Sequence, residues 1–513
     1  MLIGIAFLGG FSVLVIEILG VHLLAPWFGN STFIWSQQIA IILSAMAIGG
    51  WIGGNIAKKK SKLNQHLIAA LVAAAVFCGV LAACLDLVAA AMLPADLSLE
   101  QAASVFQLGS FLTAVLFFAP PVFFLSWLTP ILVEIGVEKG ANAGQTAGRI
   151  AAIGTVGSLL GIIFSTYLAL PFIGVKLSIT IISLLLIGCA LMLRRDLKIA
   201  SLAAVLLLPT TLEDNSHTAN IPSGAVVLEA VDSPYQRLRV IEFEDKERWL
   251  QMNEGLDSYQ SKWLPDQQWP GGYYDLFALL PIYFDFQSQR QEAAKYFFVG
   301  YGAGSGLLPI DMAHQNTDWL ATGVELDPKV VELTQKLMPL SKEVLNKVDV
   351  VSNLDGRAAL RMAEPQQDAI VVDAYSRQFE IPLHLATQEF YSEIYSKLRD
   401  GGVLCFNLGT TVSDLDDSTL AAVGGGIVKV FGYQNVRFQH VARSRNWVLF
   451  ARTNAPLPSL SSIADLLPEG WPIEVGTACL PAECIEGEQL ADLGKWALSD
   501  DLNPLLAKQL SEW

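Results

Sequence analysis

At 513 residues, 52% of them hydrophobic, the chain is too long and too apolar for one soluble domain. Its charge is unevenly shared: residues 1–200 carry 10 basic and 7 acidic side chains, and the remainder 23 and 42. A downstream part this acidic excludes ordinary nucleic-acid binding, which depends on neutralising phosphates, whereas it favours solubility and would attract polycations.

Apolar runs of about 20 residues, the length a bilayer crossing requires, occur near 2–24, 33–57, 67–93, 106–133, 149–170 and 174–193. Met1 leads straight into the first run without a basic region or cleavage site, so the run reads as a retained span and not a signal peptide. Lys58, Lys59, Lys60 and Lys62 follow the second run, Lys139 and Arg149 flank the fourth loop, and Arg194, Arg195 and Lys198 follow the sixth. The positive-inside rule then places the N-terminus and the segment after the sixth run in the cytoplasm. The expected location is a bacterial-type inner (cell) membrane, multi-pass, with the C-terminal domain cytoplasmic. Residues 199–212, about 14 in number and broken by Pro209, suit an interfacial or re-entrant segment better than a seventh crossing.

Within the spans, Glu17 is a costly intramembrane carboxylate, read either as functional or as paired with His22 or a neighbouring helix. Gly49, Gly50, Gly53 and Gly54, and Gly157 with Gly161, have the spacing of close helix packing. Pro120, Pro121 and Pro130 break the fourth run. Broken helices also occur at transport sites, which leaves a transporter or sensor with a non-catalytic nucleoside- or polyamine-binding domain as the alternative from another class. Cys78, Cys84 and Cys189 read as packing residues, and Cys405, Cys479 and Cys484 as reduced thiols, although the last two could pair if exported.

Past a polar linker ending at Pro222, short alternating runs at Ala225–Ala230, Leu238–Phe243 and Trp249–Met252 predict a small antiparallel hairpin region. Strands are then predicted at 296–300, 320–325, 348–352, 368–373 and 402–407, with helices at 328–337 and 387–398 between them. Runs at 435–440 and 446–451 are expected as antiparallel edge strands. The fold expected is an N-terminal all-α multi-pass transmembrane bundle plus a C-terminal α/β Rossmann-like (methyltransferase-type) domain preceded by the hairpin region. The boundaries are 1–198 for the helical domain, 199–222 for an interfacial segment and linker, and 223–290 for the β-rich part. They continue with 291–455 for the Rossmann-like domain and 456–513 for a tail with no evident chemistry.

The chemistry is concentrated at strand ends. Tyr296 to Val299 runs into Gly300, Gly302, Gly304 and Gly306, and Val324-Glu325-Leu326-Asp327 follows one βα unit later. Such glycines let backbone amides approach a nucleoside, and the acid accepts hydrogen bonds from ribose hydroxyls. Asp373 ends the apolar strand 368–372, where ligands of a parallel sheet collect. A carboxylate there can orient an ammonium and take its proton.

On these motifs residues 225–410 resemble the spermidine synthase family, the polyamine aminopropyltransferases, and the whole chain is similar to its membrane-fused multi-pass members. Ser233-Pro234-Tyr235-Gln236 matches the hairpin whose glutamine contacts the cofactor, and Asn253-Glu254-Gly255 sits at its Leu-Asp-Gly. Tyr273-Tyr274-Asp275 corresponds to a substrate-side element. The resemblance implies that Gly300, Gly302 and Gly304 form the nucleoside loop and that Glu325 holds the ribose. It implies that Asp355, beside Gly356, reads the adenine amino group and that Asp373 accepts the amine proton. The implied donor is decarboxylated S-adenosylmethionine or S-adenosylmethionine, without a metal, and a homodimer is implied as well.

Three departures stand out. Ala303 replaces the acid that grips the aminopropyl amine, Ser376 replaces the second acid of D-x-x-D, and Ser258 replaces a glutamine. The adenosine-facing residues are kept while the amine-binding carboxylates are thinned out. The reading is therefore a membrane-embedded transferase of an aminopropyl or related alkyl group to a small-molecule amine or membrane-associated acceptor, with no nucleic-acid partner. An S-adenosylmethionine-dependent methyltransferase is the alternative within the same class.

Overall fold

The computed structural model describes residues 2–28, 32–92, 99–205, 221–253, 258–285, 292–314, 317–375, 380–410, 414–416, 418–442, 444–505 and 508–509. They form two compact units, one of residues 1–221 with 230–237 and 253–256, the other of 222–229, 238–252 and 257–513.

The first unit is helical: α1 Leu2–Phe28, α2 Thr32–Lys58, α3 Leu63–Met92, α4 Leu99–Phe117, α5 Ala119–Glu138, α6 Ala143–Phe164, α7 Val175–Leu193 and α8 Leu197–Val205. Among the described residues six helical stretches are long and apolar enough to cross a membrane, one within each of α1, α2, α3, α5 and α7, and one running from Ala143 to Leu170. The fourth expected run is divided. Phe118 keeps helical dihedrals and its N–H donates to Ala114 O at 2.9 Å, so α4 gives way to α5 just ahead of Pro120 and Pro121. Two successive residues without an N–H account for the interruption. Of the segment 199–212, α8 covers the first part and the rest lies outside the described residues.

Close packing accounts for four of the span glycines. A Cβ on Gly49 would stand 2.3 Å from Phe123 O, one on Gly53 2.8 Å from Trp127 Cα, one on Gly157 2.1 Å from Phe7 O and one on Gly161 2.7 Å from Phe11 O. Gly50 and Gly54 face open space instead. The expected pairing of Glu17 with His22 is not found: Gln38 Nε2 donates to the Glu17 main-chain carbonyl at 2.8 Å, and the Glu17 carboxylate has no partner among the described residues. Half-buried Asp86 of α3 and Lys176 of α7 do pair, with Trp27 Nε1 donating to the same carboxylate at 3.2 Å.

Beyond residue 221 the chain forms two sheets. The small one has the order β1-β2-β3-β4, from Val226–Asp232, Arg237–Glu242, Arg248–Met252 and Ser261–Trp263. The large one uses β5 Ala294–Val299, β6 Trp319–Glu325, β7 Val348–Ser352, β8 Gln367–Val372, β9 Leu398–Gly409, β10 Val436–His440, β11 Asn446–Arg452 and β12 Cys484–Glu486, in the order β12-β10-β11-β9-β8-β5-β6-β7. The strands from β9 to β7 are parallel, and β10, β11 and β12 add antiparallel pairs at one side.

Both faces of the sheet are covered, which explains why its strands read as unbroken apolar runs. Phe297, Val299, Ile370, Val372, Leu404 and Phe406 enter one core, while Tyr296, Phe298, Ala369, Val371, Val403 and Cys405 enter the other. The tail from Pro456 is part of this packing. Leu490, Leu493, Leu498 and Leu505 join the first core, and Val475, Ala478 and Cys479 join the second.

Candidate active site

Chain order locates the cleft. From β5 the chain moves outward through β6 and β7, then returns to place β8 on the other side of β5. Such a reversal opens a crevice at the carboxyl ends of the two central strands. Gly300 follows β5 and Asp373 follows β8, and the Asp373 N–H donates to Val299 O at 2.9 Å. Gly300 has φ +90°, and a Cβ there would stand 2.2 Å from Asp373 O. Only glycine fits this elbow. Gly302, at φ +56°, brings the loop so near β4 that a Cβ would meet Ser261 Oγ at 2.5 Å.

The cleft has a volume of about 340 Å³, part of it open to solvent, and its lining includes Gln260, Ser261, Tyr274, Phe298, Tyr301 and Asp373 with Gly300, Gly302 and Gly304. Glu325, at the end of β6, accepts from Gly302 N at 3.0 Å through one oxygen and from Asp327 N at 3.2 Å through the other. Burial pushes its carboxyl upward, and these two N–H groups only partly offset the shift. Glu325 thus braces the glycine loop.

Asp373 is held from two sides. Tyr273 donates its hydroxyl to Oδ2 at 3.1 Å, and Asn407 of β9 donates Nδ2 to Oδ1 at 2.8 Å. Asn446 of β11 in turn donates to Asn407 Oδ1 at 2.9 Å, which fixes the amide's orientation. Burial lifts the Asp373 carboxyl to about 6, against the pull of the two hydrogen bonds. A carboxylate in this range gains and loses a proton near neutral pH.

Asp355, past the end of β7, caps the helix Gly356–Met362 by accepting from Ala358 N at 3.0 Å, and its other oxygen pairs with His384 Nε2 at 2.8 Å. Burial works to raise its carboxyl, but these bonds outweigh it and hold the group below its ordinary value. Gly356 is required for space, since a Cβ would meet Val299 Cγ1 at 2.4 Å.

Structure and sequence reading differ in places. Tyr274 lines the cleft and Tyr273 binds Asp373, but Asp275 turns away, accepting from Gly271 N at 3.0 Å and remaining only 2% exposed. Gln236 lies in a turn closed by Ser233 Oγ, within the first unit. Ser376 and the Glu254-Gly255 pair lie outside the described residues. Asn407, Ser261 and Gln260 are site residues that sequence reading missed. For Asn407 a signal existed, an amide inside the apolar run Val403-Leu404-Cys405-Phe406-Asn407-Leu408.

Residues 312–422 match the family model described as the spermine/spermidine synthase domain, a stretch that includes Glu325, Asp355, Asp373 and Asn407. A probable polyamine aminopropyl transferase of Bifidobacterium longum is 28% identical over 221 residues, 43% of this chain and 46% of that protein. Residues 312–422 thus resemble a spermine/spermidine synthase domain. A polyamine aminopropyltransferase of Clostridium beijerinckii is 29% identical over 141 residues, 27% of this chain and 49% of its own length. The chain thus spans just under half the length of these curated relatives. The solved spermidine synthase of Thermotoga maritima aligns with 50% of this chain and 85% of its own at 20% identity, with a TM-score of 0.39. The family match starts beyond the glycine loop.

Proposed function

We propose that this chain is a member of the spermidine synthase family, an aminopropyltransferase that uses decarboxylated S-adenosylmethionine and an amine acceptor, anchored in a membrane by its six apolar helices. The observation that carries the reading is Asp373, held by Tyr273 and Asn407 at the switch point beside the glycine loop and Glu325. The names of the curated relatives support the same reaction. The acceptor nitrogen attacks the methylene bound to the sulfonium sulfur, the C–S bond breaks with its electrons going to sulfur, and a thioether nucleoside departs. The proton lost by nitrogen passes to Asp373. Because the sulfonium is already a good leaving group, alignment supplies much of the rate.

The choice of donor follows from charge. Asp373 is an acid and, among the described residues, no lysine or arginine lines the cleft, which suits a donor ending in an ammonium and disfavours one that also carries a carboxylate. Calorimetry of the purified full chain with both nucleosides tests this. Decarboxylated S-adenosylmethionine is expected to bind at least about tenfold more tightly, the scale of one unfavourable charge contact. Binding of neither nucleoside sinks the proposal.

A further inference from the structure

A line of amides runs from Asp373 to the antiparallel edge of the sheet. Asn407 Nδ2 donates to Asp373 Oδ1 at 2.8 Å, and Asn446 Nδ2 donates to Asn407 Oδ1 at 2.9 Å. The two asparagines are diagonal neighbours on one face, because Asn407 of β9 pairs with Val448 and Asn446 lies two residues before it on β11. Asn446 is oriented in turn: Ser444 Oγ donates to its Oδ1 at 2.8 Å and accepts from its main-chain N–H at 3.1 Å. The turn that carries Ser444 is tied to His440, whose Nε2 donates to Ser444 O at 3.2 Å and whose Nδ1 pairs with Glu483 Oε2 at 2.9 Å.

The main chain at Asn407 is fixed separately. Tyr375 donates its hydroxyl to Asn407 O at 3.0 Å and accepts from Gly409 N at 2.8 Å. What the strand leaves free is a half-turn of the Asn407 amide, which would exchange its amino and carbonyl groups. With the amino group toward Asp373 the amide favours the ionised acid; with the carbonyl there it would accept from the protonated acid and repel the ionised one. The bond from Asn446 reaches the carbonyl and holds it away. The titratable neighbours stay neutral where Asp373 ionises. Burial, and after it the charge of Asp373, push the phenols of Tyr273, Tyr274 and Tyr375 and the Cys405 thiol upward. Burial, then Glu247, Asp275 and Asp373, push Tyr259 up to about 12.

We infer that Asn446 is a positioning residue for the transfer, keeping the amino group of Asn407, and not its carbonyl, against Asp373. Ser444 sets Asn446 in the same way, one bond further out. The protonated acid is thereby denied a carbonyl that would retain its proton, and the base stays available near neutral pH. The inference rests on the proposed role of Asp373 as proton acceptor and adds the residues that keep it fit for that role.

The test records pH–rate profiles of the full chain in detergent, saturated with decarboxylated S-adenosylmethionine, with 1,4-diaminobutane as the acceptor probe. Asn446→Ala is expected to move the rising limb upward by about half a pH unit to one unit, the worth of one hydrogen bond. In an Asn407→Leu background the same change should add nothing, because the amide through which it acts is gone. Ser444→Ala should shift the limb in the same direction by less, and it carries the test should Asn446→Ala not fold. An unmoved limb overturns the inference, even with a lowered melting midpoint, and so does an equal shift in the Asn407→Leu background. The titration is also read without turnover, from the infrared C=O band of protonated Asp373, identified by its loss in Asp373→Asn. In Asn446→Ala that band should persist to higher pH by the same amount, and an unchanged midpoint overturns the inference. Failure of the proposed function is a separate result, seen as no calorimetric binding of either nucleoside.

Discussion

Asp373 concentrates the testable chemistry at the residue scale. Since its carboxyl sits near 6, activity should rise with pH through that region as the base ionises. Asn407→Leu removes a bond that favours the ionised form, so the rising limb should move upward by up to about one pH unit, as a pH–rate profile would show. Asp373→Asn should cut turnover at least about a hundredfold, the usual scale for a lost general base, with donor binding retained in calorimetry. The same change should raise the melting midpoint. A buried acid with a raised pKa loses stability as pH climbs from about 4 to its folded value, and asparagine is spared that loss at neutral pH, a gain of about 2–4 °C. A lower midpoint for Asp373→Asn at pH 7.5 would refute this account of its burial. Gly300, Glu325 and Asp373 were legible in the sequence because they punctuate apolar strands. Asn407 was not, because an amide inside a strand gives no sign of which neighbour it faces. Asp275 shows the reverse limit, since a motif position cannot report that a nearby N–H has captured its side chain.

The element scale was the most readable. Strands buried on both faces form short apolar runs bounded by turns, and those at 296–300, 320–325 and 348–352 correspond closely to β5, β6 and β7. The antiparallel edge was also visible, but β12 was not, being only Cys484–Glu486 in a stretch without alternation. Nor did the tail's polar sequence disclose that it closes the core. Arg357 illustrates how it does so: the nearly buried guanidinium bonds Glu393 at 2.7 Å and Asp500 at 2.8 Å. Removing one partner leaves a poorly compensated charge, so Asp500→Ala should lower the melting midpoint by about 2–6 °C. An unchanged midpoint in calorimetric scans would show that the pair is only a surface contact.

At the scale of the whole molecule, composition already separated an apolar first part from an acidic second. It could not show where the fourth run divides, because the proline pair marks the place only once the backbone is seen to continue through Phe118. Six apolar helices predict that the full chain stays in the pellet when membranes are washed with alkaline carbonate, and release into the supernatant would contradict that. The excess of acids beyond residue 200 (42 against 23 basic side chains) should draw cationic acceptors by long-range attraction. Raising salt from 20 to 200 mM is then expected to lower kcat/KM for the amine severalfold, about the effect of shortening the Debye length from roughly 20 to 7 Å, while kcat holds steady.

The hydrogen bond from Asp373 to Val299, with the bonds from Gly300 and Tyr301 to Val324, stitches three neighbouring strand tips into one ladder. Asp373 and the glycine loop therefore stand one rung apart, about 4.8 Å, a gauge set by backbone pairing. In the proposed reaction the distance between the reactants is then built in during folding, before either of them arrives.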